Sequence, residues 1–303
     1  MEASFGSAGR GRASWNSREM ILVFGRTGQV ARELHAFSGV IALGRDEVDL
    51  LNPSKCQEAI RDIKPDFVIN AAAYTAVDQA EEEEEVANLI NGRAPTLMAN
   101  TCAGLSIPLV HISTDYVFDG NGDRPFSPEC ETQPINAYGR SKLMGEEGVQ
   151  SSGAVFAILR TSWVVSASGK NFIKTMLDLS RERDEFRIVE DQVGGLTPAC
   201  DIAEACIAIG KQLVNDPNKR GVYHLSGTPN TSWAEVAREI FRQTQKDIDV
   251  IGIPASDFPT DAKRPLNSRM DCGKTEKVFG IKRPDWRSGI KKILTELEVL
   301  HEK

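Results

Sequence analysis

Two short arrangements in this chain could do chemistry together. Tyr138-Gly-Arg-Ser-Lys142 places a phenol and an amine four residues apart, so on a helix they share one face. Free tyrosine has a pKa of about 10 and is a poor acid–base group at neutral pH. A nearby ammonium favours the phenolate and is expected to lower that value. Gly25-Arg-Thr-Gly-Gln-Val-Ala31 follows a short apolar run. Gly25 permits a tight turn, Gly28 lets backbone approach phosphate, and Ala31 stands where a third glycine would pack helix on strand. Such a turn offers amides and a helix N-terminus to a pyrophosphate. The two arrangements meet in one reaction, hydride transfer from a nicotinamide with Tyr138 moving the proton.

Other residues fit that chemistry. Leu43-Gly44-Arg45-Asp46 ends the second apolar run. Arginine at this place suits the 2′-phosphate of NADPH, where an acid would suit the ribose of NADH. Arg45, with Arg26 as helper, therefore points to NADPH, with NADH tolerated. Asn70-Ala-Ala-Ala73 offers small residues where a cofactor lies close over backbone. Ser113-Thr-Asp-Tyr-Val-Phe118 supplies hydroxyls; Thr114 is the candidate to polarise a carbonyl, with Asp115 and Tyr116 beside it.

These residues need a scaffold, and the pattern describes one. Apolar runs at Met20–Phe24, 39–43, 66–70, 107–112 and 154–159 alternate with helix-length stretches at 29–37, 54–63 and 86–103. That order implies right-handed βαβ crossovers and an α/β, Rossmann-type doubly wound parallel sheet. The acidic run Glu81–Glu85 reads as a solvated helix start. After Trp163 the rhythm changes. Helices are expected at 171–183, 201–214, 232–244 and 289–300, strands at 188–189 and 221–226, and a proline-rich loop at 252–264. Three parts follow: a disordered tail at 1–19, a cofactor-binding domain at 20–163, and a smaller mixed α/β substrate lobe at 164–303, with segments of 199–228 able to return to the first domain.

Bulk properties narrow the partners. The chain has 303 residues, 41% hydrophobic and 26% charged, with a net charge of −7. General affinity for nucleic acid or an anionic membrane is not expected. Six cysteines show no paired spacing, which fits a reducing cytoplasm. Four histidines form no metal motif, so no metal ligand is assigned from spacing. No stretch approaches membrane-spanning length.

The glycine turn, NAAA, STDYVF and YxxxK, in this order, resemble the extended short-chain dehydrogenases/reductases. Asn70–Ala80, Arg160-Thr-Ser-Trp163, Asp191–Pro198 and Arg264–Asp271 narrow the resemblance to the dTDP-4-dehydrorhamnose reductase family, across about residues 20–297. The resemblance implies NAD(P)H-dependent reduction of the C4 ketone of a dTDP-linked 6-deoxyhexulose. It implies Tyr138 as proton donor and Lys142 lowering its pKa and holding the nicotinamide ribose. It also implies Thr114 on the ketone. Gly25, Thr27, Gly28, Gln29 and Val30 would hold the pyrophosphate, and Asp49 and Leu50 would lie by the adenine. Ala71, Ala72 and Tyr74 would line the cofactor cleft. Trp163 would pack on the deoxysugar, and Arg264 and Asn267 would meet the diphosphate. Some bacterial relatives dimerise through Mg²⁺ held by carboxylates; Glu33 matches one such position, so Mg²⁺ and a homodimer stay open. A cofactor-retaining epimerase or dehydratase is the competing enzyme reading. A binding subunit like the regulatory subunit of methionine adenosyltransferase is the competing non-catalytic one, and it lacks the tryptophan found here at 163.

Overall fold

The computed structural model describes residues 19–300. The expected tail lies outside the described residues except for Glu19, whose carboxylate meets Lys211.

Six short strands build the central sheet: β1 (Ile21–Phe24), β2 (Val40–Leu43), β3 (Phe67–Asn70), β4 (Leu109–Thr114), β5 (Phe156–Thr161) and, much later, β10 (Gly221–His224). Their order is β10-β5-β4-β3-β1-β2 and every pairing is parallel. β1 and β3 are buried at every position, as strands covered by helices on both faces must be. One face carries α1 (Gln29–Leu34) and α7 (Ala199–Asn215) over Val23, Ile69, Val110 and Leu159. The other carries α2 (Pro53–Ile63), α4 (Ala94–Leu105) and α5 (Ala137–Ser151) over Leu22, Val68, Leu109 and Ile158. The chain leaves β1 for β2 on one side and returns to β3 on the other. This reversal opens a crevice at the strand C-termini, the usual place for a ligand in such sheets.

The single helix expected at 86–103 is interrupted. A short α3 (Glu84–Ala87) runs into a π-helical stretch, Asn88–Arg93, before α4. This stretch packs closely against α5: a Cβ on Gly92 would come 2.4 Å from the Met144 sulfur. The wider turn presents Asn91, which accepts from the Tyr74 amide and donates to the Tyr74 carbonyl and the Ser141 hydroxyl. π-bulges of this kind often accompany functional sites.

The second half wraps its own core of Val165, Ile173, Met176, Phe241, Trp286 and Ile290. Between β5 and α7 lie β6 (Val164–Val165), α6 (Phe172–Leu179), β7 (Glu185–Val189), β8 (Val193–Gly194) and β9 (Thr197–Pro198). After β10 come β11 (Thr231–Ser232), α8 (Trp233–Gln243), β12 (Asp249–Ile253), β13 (Asn267–Ser268), α9 (Gly273–Phe279) and α10 (Trp286–Glu296). β7 pairs with β12 in parallel, and β8 lies between β11 and β13. The stretch expected as loop from 252 begins as the end of β12; the irregular segment proper runs 254–266. Pro254, Pro259 and Pro265 keep it from joining a ladder.

Candidate active site

The sheet's C-terminal crevice is a cavity of about 930 Å³, within the ordinary range for ligand sites. Its walls include the glycine turn, Arg45, Asp49, Leu50, Ala71 and Ala72, then Thr114, Asp115, Tyr138, Lys142, Trp163 and Arg264. Residues far apart in sequence therefore face one space.

The cofactor side is mostly backbone. Gly25 sits at φ 115°, and a Cβ there would press at 3.2 Å on the backbone of Ala71; this turn needs glycine. At Gly28 a Cβ would meet nothing within 4 Å, so open space lies over the start of α1. Short, turn-flanked backbone amides facing open space fit a dinucleotide pyrophosphate. Gln29 also lines the cavity, but its amide is engaged: it donates to the Val164 carbonyl and accepts from Ser166 and Asn171. It thereby ties α1 to the second half.

The two arginines proposed for a 2′-phosphate stand differently. Arg45 lines the cavity and is exposed. Arg26 lines it too, but its guanidinium pairs with Asp46 and Glu47 at 2.5 Å. Glu47 also accepts from the Gly44 amide. Arg26 thus neutralises two local carboxylates that would otherwise repel phosphate.

The candidate reacting groups come from β4 and α5. Thr114 ends β4 and caps the short turn after it by accepting from the Tyr116 amide. Its hydroxyl donates to Asp115 Oδ1 at 3.1 Å. Tyr138 is in the first turn of α5, lining the same cavity as Thr114 and packed edge-on against Tyr116, ring centroids 5.5 Å apart. The expectation that Lys142 depresses the Tyr138 pKa is not met in this arrangement. Burial dominates and pushes the phenol up to about 12, opposed by the nearby Thr114 hydroxyl and helped by the Asp115 charge. Lys142 instead donates to the Ile112 carbonyl at 2.7 Å, and burial lowers its own pKa to about 8. Asp115 is pushed up to about 6 by burial, and its Oδ2 has no hydrogen-bond partner.

α5 is held firmly at this end. Asn136 caps it, Oδ1 accepting from the Gly139 amide at 2.7 Å, and Glu81 accepts from the Ala137 amide at 2.8 Å. Glu84 pairs with Arg140 and Glu83 accepts from the Tyr74 hydroxyl. The acidic run expected as a solvated helix start therefore braces the helix carrying Tyr138. Deeper in α5, Glu146 is fully buried and pairs with Arg160, while accepting from Ser113.

The other side is made of side chains. Trp163 takes φ 49°, uncommon for a residue with a Cβ. It stacks on Trp233, ring centroids 4.0 Å apart, and a Cβ on Gly194 would come 3.1 Å from its ring. Arg264 pairs with Asp78 at 2.7 Å at the cavity wall. Two expected residues lie elsewhere. Asn267 is buried behind the wall, its amide donating to the carbonyls of Asn121 and Arg124. Tyr74 is absent from the cavity lining because Glu83 and Asn91 draw it toward α3. Residues not singled out from sequence are Asp78, Asn171 and Trp233. Only Trp233 left a signal, the Thr231-Ser-Trp string opening an amphipathic helix.

Among the described residues no three His, Cys, Asp or Glu side chains converge as metal ligands. Glu33 has Glu296 as a charged neighbour, and its carboxyl is raised mainly by burial.

A family model described as the RmlD substrate binding domain matches residues 19–299. A dTDP-4-dehydrorhamnose reductase of Sinorhizobium fredii is 42% identical over 287 residues, 91% of this chain and 97% of that protein. One of Escherichia coli is 39% identical over 291 residues, with the same coverage. The crystal structure of a dTDP-4-dehydrorhamnose reductase from Clostridium acetobutylicum matches with a TM-score of 0.86 and 34% identity, covering 92% of this chain and 99% of that one. One from Bacillus anthracis, solved in complex with NADP, matches at 0.85 and 32%, again over 92% and 99%. On the match across nearly its whole length, the chain belongs to the dTDP-4-dehydrorhamnose reductase family.

Proposed function

We propose that this chain reduces the C4 ketone of dTDP-4-dehydro-L-rhamnose to give dTDP-L-rhamnose, using NADPH. The observation that carries the reading is the meeting of Thr114, Tyr138 and Lys142 in one cavity with the glycine turn. Gly25–Val30 would hold the pyrophosphate of NADPH and Ala71–Ala72 would line its cleft; the bound cofactor would supply the hydride. Thr114 and Tyr138 hydroxyls receive the ketone oxygen between them. Tyr138 then gives its phenolic proton to that oxygen as it gains negative charge. A proton donor must hold its proton beforehand, and a phenol raised to about 12 does so throughout the neutral range. Lys142, positive below about pH 8 and held on the Ile112 carbonyl, would hold the cofactor ribose.

Trp163 offers the deoxysugar an apolar wall, and Arg264 offers a planar cation to the diphosphate. Asn267 contributes by supporting the segment that carries Arg264. Asp115 is followed by Tyr116 and not by a second acid, so the acidic pair of a dehydratase is missing. Arg45 supports a preference for NADPH over NADH, and the NADP complex of the Bacillus anthracis relative agrees with that choice. Residues 20–163 with 199–228 serve as the cofactor-binding part and the remainder as the substrate lobe. All six cysteines are free thiols, which supports work in a reducing cytoplasm. No helix of the described residues is long and apolar enough to cross a membrane.

The test is direct. The protein is mixed with NADPH and dTDP-4-dehydro-L-rhamnose, and both nicotinamide absorbance and sugar product are followed. One NADPH oxidised per dTDP-L-rhamnose formed is expected. No oxidation by protein shown to bind NADPH would reject this substrate. A lower KM for NADH than for NADPH would reject the cofactor assignment.

A further inference from the structure

Asn136 is not in the cavity wall, yet it touches two elements that must act together. Its Oδ1 accepts from the Gly139 amide at 2.7 Å, capping α5 two residues before Tyr138. Its Nδ2 donates at 2.8 Å to the carbonyl of Lys263, the residue before Arg264. The side chain is essentially inaccessible, at 1% exposure. The same loop is fixed from the other side by Asp78, which accepts from the Ala262 amide at 3.1 Å and from both terminal nitrogens of Arg264. A third anchor closes on it: the Gly120 carbonyl accepts from the Asn267 amide, and a Cβ on Gly120 would strike Pro265 at 2.3 Å. The first turn of α5 has no slack either, since a Cβ on Gly139 would lie 2.2 Å from the Tyr116 carbonyl oxygen.

From this geometry we infer that Asn136 is a positioning residue that sets the distance between the proton donor and the nucleotide-diphosphate contact, by clasping the catalytic helix and the Arg264 loop with one amide. This rests on the proposed reading of Arg264 as the diphosphate contact. The cap needs only an acceptor, which serine supplies equally well. The loop contact needs a donor at the end of a longer side chain. The two duties are therefore separable by substitution. Asn136→Ser keeps the cap and releases the loop; Asn136→Ala removes both.

The readouts are the dissociation constant for dTDP measured calorimetrically with NADP⁺ present, the KM values for both substrates, kcat and Tm. Asn136→Ser should weaken dTDP and raise the sugar-nucleotide KM about fivefold, the worth of one net hydrogen bond. Its kcat and NADPH KM should stay near wild type, and its Tm should fall modestly for the lost buried hydrogen bond. Asn136→Ala should show the same KM effect with a lower Tm and a reduced kcat, because the first turn of α5 is then uncapped. Unchanged dTDP affinity in Asn136→Ser would overturn the inference, as would equal losses for dTDP and NADPH. Wild-type protein that binds NADP⁺ but neither binds dTDP nor turns over would instead defeat the proposed function itself, so the two failures are told apart.

Discussion

The two walls of the cleft are built from different materials. The wall proposed for the cofactor is backbone: Gly25 at a positive φ, Gly28 under open space, and the small residues Ala71 and Ala72. The wall proposed for the sugar is side chains drawn from separate segments: Arg264 against Asp78, Trp163 on Trp233, and Thr114 and Asp115 at the end of β4. Backbone-built sites demand particular small residues at fixed spacing, so they leave motifs. Side-chain-built sites also demand that distant segments converge, and the residues that only brace that convergence, such as Asp78 behind Arg264, leave no local mark. Tyr138 stands where the walls meet, and substitutions on either side should separate their functions.

The largest effect belongs at the junction. Tyr138→Phe removes the proton but keeps the ring, and kcat should fall by about 10²–10⁴-fold. NADPH affinity should hold, as measured by fluorescence titration. A rate near wild type would place proton donation elsewhere.

On the sugar side, Asp115 is a buried carboxyl whose pKa rises to about 6 on folding, from about 3.9 unfolded. Its folded pKa lies above its unfolded one, so its contribution is whole below about pH 4 and is lost as pH rises through 6. Asp115→Asn cannot ionise. It should match wild type near pH 4 and exceed it by up to ~3 kcal/mol above pH 6 in denaturant melts. Parallel stability curves would show that Asp115 is not desolvated.

On the cofactor side, Gly25→Ala forces a side chain into a strained conformation against Ala71, at an order of 1–3 kcal/mol. NADPH should bind roughly tenfold more weakly while the sugar-nucleotide KM holds. The reverse pattern is expected for Trp163→Ala: a sugar-nucleotide KM raised by about tenfold, with NADPH binding nearly intact. If each variant disturbed both ligands equally, the walls would not be independent.

The same contrast explains what could be read from sequence. The parallel sheet, the glycine turn, Thr114, Tyr138 and Lys142 were legible because strand periodicity and fixed spacings encode them. Other features were not. The π-helical stretch at 88–93 packs on α5 where Gly92 meets Met144, a contact invisible in either segment alone. Burial reversed the expected direction for the Tyr138 pKa, because desolvation depends on everything packed around the ring and not on Lys142 four residues away. Asn267 sits in a matching string, but β13 turns its amide toward Asn121 and Arg124 and away from the cleft. Asp78 and Trp233 escaped notice because their partners, Arg264 and Trp163, lie 186 residues away in one case and across β6 to β11 in the other.

The central claim is that a hydride crosses from the cofactor wall to a ketone held on the sugar wall. It is tested most directly by running the reaction with NADPH deuterated at the transferring position and locating the label in the product by NMR. The account predicts one deuterium at C4 of the sugar and one oxidised cofactor per product. Product without deuterium at C4, or deuterium there only when the solvent supplies it, would contradict it.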